Sequence, residues 1–449
     1  MLDSARLFQI LKFVLPTVVF VWALAYLTTD RDTYTEIIRS FRNEKKLFVA
    51  DYLSHEIDGD FDGTKIAELC AIKQWAPPDR ALVLTCDPPP GGIGEVKNAH
   101  LHCIRFAIEL GAELVLPQII RRSDTDITKL VPYSGGGPAK SIPAGYFFDM
   151  AHLKNSLAAY CPQMKVHDSL DELYDVPTML QPVKFSVKDL TTDFVNGTII
   201  ANPQEIHWKF TQFLEEQKPA KKRRYPLRLH MGEALFTWPT GYDHPDFVRN
   251  FGRILRIRQD VRLLAASGLY NMQKRFNLEL DPRRGIRRDS FVGVHLRTER
   301  DVAGVFPDYQ TQAAYYLSYI ADNRVPVVYL ATGATQENIT AFTERARDFG
   351  AAVVQKREIL RAPELRLLDT LSWDQRALID YEIMLRAGMV VGTSESSFAW
   401  NLAMRRHNAY GAEQSKPTDT ELNIQWQDRF STIYGNTAKG QAFELSIWP

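Results

Sequence analysis

FVGVHLRTERD, at residues 291–301, is the segment on which the fold prediction rests. Its first six residues are mostly apolar, which is typical of a strand buried in a parallel sheet, and charged residues follow at once. Further predicted strands alternate with helices after it: strands at residues 325–331, 351–355 and 389–392, and helices at residues 311–323, 336–349, 373–386 and 397–407. This alternation predicts a doubly wound parallel sheet.

The first half of the chain shows the same pattern once. Residues 81–86 (ALVLTC) predict a strand, a loop rich in proline and glycine follows, and residues 96–110 and 113–116 predict a helix and a second strand. A helical stretch at residues 246–276 separates the halves. We therefore expect an α/β protein with two Rossmann-like, doubly wound domains that face each other across a cleft.

The expected division of the chain has five parts. They are a tail and membrane anchor at residues 1–29, a charged stem at 30–78, an N-terminal Rossmann-like domain at 79–245, a helical linker at 246–287 and a C-terminal Rossmann-like domain at 288–449.

Composition excludes several classes of protein. The chain has 449 residues, of which 45% are hydrophobic and 24% charged, so it is globular rather than disordered. Lysine plus arginine and aspartate plus glutamate both number 54, and this balance argues against a nucleic-acid partner. The four cysteines form no CxxC motif or Cys/His cluster that would indicate structural zinc. In an oxidising compartment they could pair in three ways; they are Cys70, Cys86, Cys103 and Cys161.

The N-terminus predicts entry into the secretory pathway. Residues 13–27 (FVLPTVVFVWALAYL) carry no charge, and the span 7–28 is long enough for a membrane helix. We expect an uncleaved anchor with the bulk of the chain in the lumen. The alternative is a cleaved signal peptide, which the Ala-Leu-Ala pattern at residues 23–25 would allow. Two N-glycosylation sequons, at Asn196 and Asn338, agree with either interpretation.

Polar side chains follow two of the predicted strands in the second half. His295 and Arg297 lie at the carboxyl edge of the strand at residues 291–296, and an arginine fork is suited to a diphosphate. The strand at 389–392 is followed by hydroxyl groups and an aromatic ring at the start of a helix, where free N–H groups favour phosphate; these residues are Thr393, Ser396, Ser397 and Phe398. Taken singly, each could be an ion-pair partner or a helix cap, but together they predict a nucleotide site.

Two acidic segments raise the question of a metal. Asp58, Asp60 and Asp62 are spaced as at the start of a calcium loop, but Leu69 stands at the twelfth position, so an acidic stem loop is the alternative. Asp124 and Asp126 form an Asp-x-Asp triplet without a second acidic cluster nearby. We therefore expect no metal site.

Four motifs together resemble the GDP-fucose protein O-fucosyltransferase family. In chain order they are the glycine-rich loop, helix and strand at residues 88–118, the Phe-Phe-Asp segment from residue 147 to 166, VGVHLRTERD at 292–301 and AGMVVGTSESSFAWNLAMRRH at 387–407. The resemblance covers most of residues 79–410. Each motif alone is modest, but their order is fairly specific.

The resemblance implies a GT-B-type, inverting and metal-independent fucosyltransferase that uses GDP-fucose. The predicted anchor and stem match the type II topology usual for secretory-pathway glycosyltransferases, and the short apolar span favours the Golgi over the endoplasmic reticulum. By position, Arg297 would grip the β-phosphate, while His295 and Asp301 would shape the donor pocket. Ser396, Ser397 and Phe398 would hold phosphate and nucleoside.

The first loop departs from the family pattern. Where the family usually offers asparagine, this chain has Glu95, which we expect to be either the base toward the acceptor hydroxyl or a helix cap. Gly92 and Gly94 would lie beside the donor, and Lys97 would replace the family's basic residue near the phosphates. The alternative function is a catalytically inactive relative that binds a nucleotide or glycan as a lumenal lectin or scaffold.

Overall fold

The structure is a computed structural model, and it describes residue 16 and residues 44–124, 129–131, 141–232, 234–410, 423–435 and 438–449. Apart from residue 16, the predicted anchor lies outside the described residues. Within the described ranges, no helix is long and apolar enough to cross a membrane.

Fifteen α-helices occur in the described part of the chain, joined in places by short 3-10 turns. They are α1 (Glu44–Ser54), α2 (Thr64–Ile72), α3 (Ile93–Leu110), α4 (Met150–Tyr160), α5 (Val187–Leu190), α6 (Ile206–Gln217), α7 (Pro245–Phe251), α8 (Gln259–Phe276), α9 (Tyr309–Asn323), α10 (Gln336–Asp348), α11 (Lys356–Ile359), α12 (Ala362–Thr370), α13 (Trp373–Leu385), α14 (Ser397–Tyr410) and α15 (Ala438–Ser446).

The strands form two large sheets and two short two-stranded ribbons. They are β1 (Leu82–Cys86), β2 (Glu113–Val115), β3 (Ile119–Ile120), β4 (Ser141–Ile142), β5 (Val166–His167), β6 (Val183–Phe185), β7 (Phe194–Val195), β8 (Ile199–Ile200), β9 (Leu227–Met231), β10 (Val292–Leu296), β11 (Val327–Thr332), β12 (Ala352–Val354), β13 (Met389–Thr393), β14 (Ile424–Gln427) and β15 (Ser431–Tyr434).

The sheet of the second half has the strand order β12-β11-β10-β13-β15-β14. All neighbours are parallel except β14 and β15. The chain winds outward in one direction from β10 to β12 and then returns to β13 on the other side of β10. The switch point therefore lies between β10 and β13, where ligands bind in open α/β sheets. The doubly wound prediction is confirmed, whereas β14 and β15 were not predicted.

The sheet of the first half is wholly parallel, in the order β5-β2-β1-β9-β6. The predicted β1, α3 and β2 unit lies at its centre, and the helix begins three residues earlier than periodicity indicates. The strand β9, the other neighbour of β1, was not predicted, because its sequence LRLHM alternates polar and apolar residues and is not a continuous apolar run. The strands β5 and β6 are too short to leave a periodic signal.

The prediction of a charged stem is wrong for its described part. Phe48 and Tyr52 of α1 and Ile66 and Cys70 of α2 are buried in the main hydrophobic core, and α1 packs along α8. Asp58 belongs to the segment predicted as a calcium loop or an acidic stem loop. Its side chain is buried and pairs with Arg253 and with Arg405, the latter at 3.2 Å. Several charges of this segment pair with residues of other elements, Lys45 with Glu364 and Glu56 with Arg405 among them, so a high content of charged residues did not reveal that the segment packs on the core.

Two disulfides select one of the three possible pairings: Cys70–Cys161 and Cys86–Cys103. The first joins α2 to the residue that follows α4, and the second joins the end of β1 to the middle of α3. The N-terminal helices and the loop after β1 are thus both covalently tied to the first half.

Candidate active site

A cavity of about 750 Å³ lies where the carboxyl ends of both sheets meet. Its wall combines the loop after β1 and the start of α3 with the residues that follow β10, β11 and β13. The sheets determine these positions, because every parallel strand delivers its next residues to the same edge.

Arg297 directly follows β10 and lines this cavity. Its main chain is held at both ends by the buried Gln312 of α9, whose Oε1 accepts from the Arg297 N–H at 3.0 Å and whose Nε2 donates to the Arg297 carbonyl at 2.6 Å. Its guanidinium lies between two carboxylates, 2.6 Å from Glu299 and 2.5 Å from Asp301. The position and direction of this cation are therefore set before any ligand enters.

His295, two residues earlier on the same strand, is neutral. Its ring stacks on Phe398 with centroids 4.5 Å apart, and its Nδ1 lies 3.1 Å from the Ser396 hydroxyl. Burial, with a smaller contribution from the Arg297 charge, lowers the pKa of His295 to about 3. The two stacked rings both line the cavity next to Arg297.

Two helices begin at the cavity, α3 and α14. They approach so closely that a Cβ atom placed on Gly94 would lie 2.5 Å from the Ser397 carbonyl group and 2.7 Å from the Phe398 nitrogen. Ser396 caps α14 by accepting a hydrogen bond from the Ala399 N–H at 3.1 Å. Since the N-terminus of a helix carries partial positive charge, two of them beside an arginine form a site suited to an anion with several charges.

Glu95 lies in the first turn of α3 and in the cavity wall. Its carboxylate folds over Gly91, where a Cβ atom would lie 1.7 Å from Oε2. Gly91 thus gives the carboxylate room at the edge of the cavity. Gly92, the residue before α3, has open space around it.

Two predicted site residues do not line the cavity. Lys97 is 5% exposed; its Nζ donates to the main-chain oxygen of Pro449 at 2.8 Å, and burial lowers its pKa to about 7. It follows Glu95 by two residues, which turns it about 200° around the helix, to the side away from the cavity. Thr393 is the last residue of β13 and is buried in the sheet. Neither side chain is therefore part of the cavity wall.

The cavity also contains residues that sequence reasoning missed. Glu299 follows Arg297 closely enough to have been suspected as its partner. Trp373, whose ring centre lies 5.9 Å from the Arg297 guanidinium carbon, is far away in sequence, and so is Arg122. Asp374 also lines the wall, and its Oδ1 accepts from the Ser372 hydroxyl at 2.6 Å. No local pattern could have revealed these three, because folding alone brings them together.

No group of three metal-binding side chains is present within the described ranges. Asp124 pairs with Arg121 at 3.0 Å, and Asp126 lies outside the described residues. Asn196, in the first sequon, is exposed in a turn, and Asn338 is half-buried in the first turn of α10.

A cavity at the switch point of a doubly wound sheet, with a clamped arginine, two helix N-termini and a stacked pair of rings, defines a nucleotide-binding α/β protein. Comparison with known sequences is more specific: the pattern of the GDP-fucose protein O-fucosyltransferase family matches residues 82–409. The chain belongs to this family and is a fucosyltransferase.

Among solved structures, the chain is similar to POFUT1 in complex with GDP. The two share 15% sequence identity with a TM-score of 0.43, and the match covers 80% of this chain and 100% of that one. POFUT1 in complex with GDP-fucose has 15% identity, a TM-score of 0.44 and the same coverage. A mutant of Arabidopsis thaliana FUT1 in complex with GDP has 10% identity, a TM-score of 0.37 and coverage of 81% of this chain and 78% of that one. Among curated protein sequences, none matches this chain.

Proposed function

We propose that this protein transfers fucose from GDP-fucose to a hydroxyl group of a protein or glycan acceptor, with inversion at the sugar carbon, without a metal, and in a GT-B arrangement of its two sheets. The observation that carries the proposal is the position of Arg297. It projects from the switch point of one sheet into a cavity at which two helix N-termini also converge.

The donor would place its diphosphate between Arg297 and the N-termini of α3 and α14. Ser396 and Ser397 would donate to the phosphate oxygens, and the paired rings of His295 and Phe398 would contact the nucleoside. Gly92, which has open space around it, would let the donor approach the backbone before α3, and Gly94 lets α14 pack against the start of that helix.

In the reaction, the bond between sugar carbon C1 and the β-phosphate oxygen breaks, and its electron pair leaves with GDP. The sugar passes through an oxocarbenium-like state while charge builds up on the diphosphate. Arg297, oriented by Glu299 and Asp301, stabilises that charge without reorganising. Because it stays in place, the barrier falls.

The acceptor hydroxyl attacks C1 from the face opposite the leaving group and loses its proton. We propose Glu95 as the base, because it is the carboxylate of the first loop that lies at the cavity edge. Glu95→Gln should then abolish transfer while GDP-fucose still binds. Unchanged transfer would limit Glu95 to a role at the helix terminus.

A ligand screen tests the donor assignment. Binding to the folded state raises the melting temperature, so GDP-fucose and GDP should stabilise the full-length protein more than UDP- or CMP-sugars do. GDP release from GDP-fucose, measured with candidate acceptors, then separates an enzyme from an inactive binding relative. Stabilisation by UDP-sugars alone would contradict the donor assignment.

We also propose a type II membrane protein of the Golgi whose residues 30–449 are lumenal. Two disulfides and the exposed sequon at Asn196 support an oxidising, glycosylating compartment. Endoglycosidase should increase the gel mobility of the native protein, and Asn196→Gln should remove part of the shift. Protease sensitivity of this region in sealed microsomes would contradict the orientation.

A further inference from the structure

Arg122 crosses the cavity from the first half of the molecule to the second. It follows β3 by two residues, yet its Nη1 lies 3.3 Å from Oδ2 of Asp301, which belongs to the other half. Its Nη2 also donates to the main-chain oxygen of Pro90, in the loop after β1. The side chain is 13% exposed and forms part of the cavity wall.

Asp301 Oδ2 is shared between two arginines. It lies 2.5 Å from Arg297 Nη2 and 3.3 Å from Arg122 Nη1, so the two guanidinium groups stand side by side around a single carboxylate oxygen. Adjacent cations repel one another unless an anion lies between them. In the structure that anion is a carboxylate; in a donor complex a phosphate oxygen can provide the same charge and accept from both forks.

The contacts of Asp301 allow such an exchange. Without a ligand, Glu299 and Asp301 balance the charges of Arg122 and Arg297. Asp301 lies farther from Arg122 than from Arg297, so breaking its contact with Arg122 costs less interaction energy than breaking its contact with Arg297. A diphosphate also has two phosphoryl groups, so each of two arginine forks can bind one of them.

We propose that Arg122 is a second ligand of the donor diphosphate, contributed by the first half, and that it exchanges Asp301 for a phosphate oxygen when the donor binds. This inference rests on the proposed function. It implies that both halves of the molecule hold the leaving group, so that tight donor binding depends on their approach across the cavity.

The test compares GDP binding by the full-length wild type, Arg122→Ala and Arg121→Ala, using calorimetry. Arg121 is the matched control, because it is the adjacent arginine and pairs with Asp124 instead of facing the cavity. Loss of charged hydrogen bonds should weaken GDP binding by Arg122→Ala roughly 10- to 100-fold. Arg121→Ala should bind GDP as the wild type does.

A purely structural ion pair gives a different result. Arg122→Ala would then melt at a lower temperature without GDP but bind GDP within about twofold of the wild type, and the inference would be overturned. Should Arg122→Ala fail to fold, Arg122→Lys retains the charge and loses the fork. We expect Arg122→Lys to melt like the wild type and to bind GDP at least several-fold more weakly; wild-type affinity would equally overturn the inference.

The two proposals fail in different ways. A wild-type protein that binds no GDP contradicts the proposed function, and this inference with it. A wild-type protein that binds GDP and transfers fucose, together with Arg122 variants of unchanged GDP affinity, contradicts this inference alone.

Discussion

Arg297 illustrates how much of a binding site is built around one side chain. The strand β10 fixes the position of the Arg297 backbone, and Gln312 hydrogen-bonds to both its N–H and its carbonyl group. Two carboxylates orient the guanidinium group. A cation held in this way does not have to reorganise as charge develops on the leaving group, and such preorganised groups contribute strongly to catalysis.

Arg297→Lys should lower turnover roughly 100-fold or more. Lysine keeps the charge but loses the fork, and losing one aligned donor at a developing anion costs about 3 kcal/mol. Steady-state rates of GDP release measure the effect, and circular dichroism should show an unchanged fold. Arg300→Lys is the control, because Arg300 is exposed and lies outside the cavity wall. Wild-type turnover by Arg297→Lys would show that Arg297 does not stabilise the leaving group.

At the scale of elements, the contact between α3 and α14 determines the shape of the phosphate site. A glycine near the start of a helix is normally a weakness, and alanine there improves helix propensity by up to about 1 kcal/mol. At Gly94, however, the added Cβ atom would meet backbone atoms of Ser397 and Phe398 that cannot turn aside as a side chain can.

Gly94→Ala should therefore destabilise the protein by about 1–3 kcal/mol, since overpacking outweighs the gain in propensity. It should also weaken GDP binding by moving the start of α14. Gly92→Ala is the matched comparison, because no atom lies within 4 Å of its added Cβ, and its free energy of unfolding should change by less than about 0.5 kcal/mol. Urea denaturation measures both, and equal stability of the two variants would refute the close contact.

The helix α3 also buries two histidines, and they should make stability sensitive to acid. Burial lowers the pKa of His100 to about 4 and that of His102 to about 3, below the ordinary value near 6.5 that both regain on unfolding. Below pH 6.5 the unfolded chain binds protons that the folded chain does not, so stability is lost as the pH falls.

Between pH 6 and pH 4.5, each of these histidines should lower the free energy of unfolding by up to about 1.4 kcal/mol per pH unit. Urea denaturation at several pH values measures this slope. His102→Gln should reduce the slope by the contribution of one proton, whatever its effect on stability at neutral pH. An unchanged slope would mean that His102 is protonated in the folded protein.

At the scale of the whole molecule, two disulfides close loops of very different length. Cys70 and Cys161 are separated by 91 residues, and Cys86 and Cys103 by 17. In the chain-entropy account, the longer loop restricts the unfolded chain more, by about 4–5 kcal/mol compared with about 3 kcal/mol.

Replacing Cys70 and Cys161 together by serine should therefore cost more stability than replacing Cys86 and Cys103 together. Urea denaturation of the two double variants provides the comparison. The Cys70/Cys161 variant should also loosen α2, which protease digestion would detect as earlier cleavage near residue 70. A larger loss from the Cys86/Cys103 variant would contradict this order.

Local sequence was sufficient to predict the doubly wound sheet of the second half and the part of the site that depends on it. Buried parallel strands appear as apolar runs, and the first few residues that follow such a run, Arg297 and Ser396 among them, are delivered to the ligand-binding edge of the sheet. His295, Phe398 and Glu95 could be predicted to line the cavity for the same reason, because each lies next to the end of a strand or the start of a helix.

Tertiary structure alone determined which distant residues meet. The cysteine pairing, the burial of the N-terminal helices, the placement of β15 beside β13, and the arrival of Arg122 and Trp373 at the cavity all depend on contacts between segments far apart in sequence. Lys97 shows the same limit on one helix, since periodicity predicts that a helix forms but not which face the other half will cover. Periodicity reports local geometry, whereas packing over the whole chain decides which faces and ends come together.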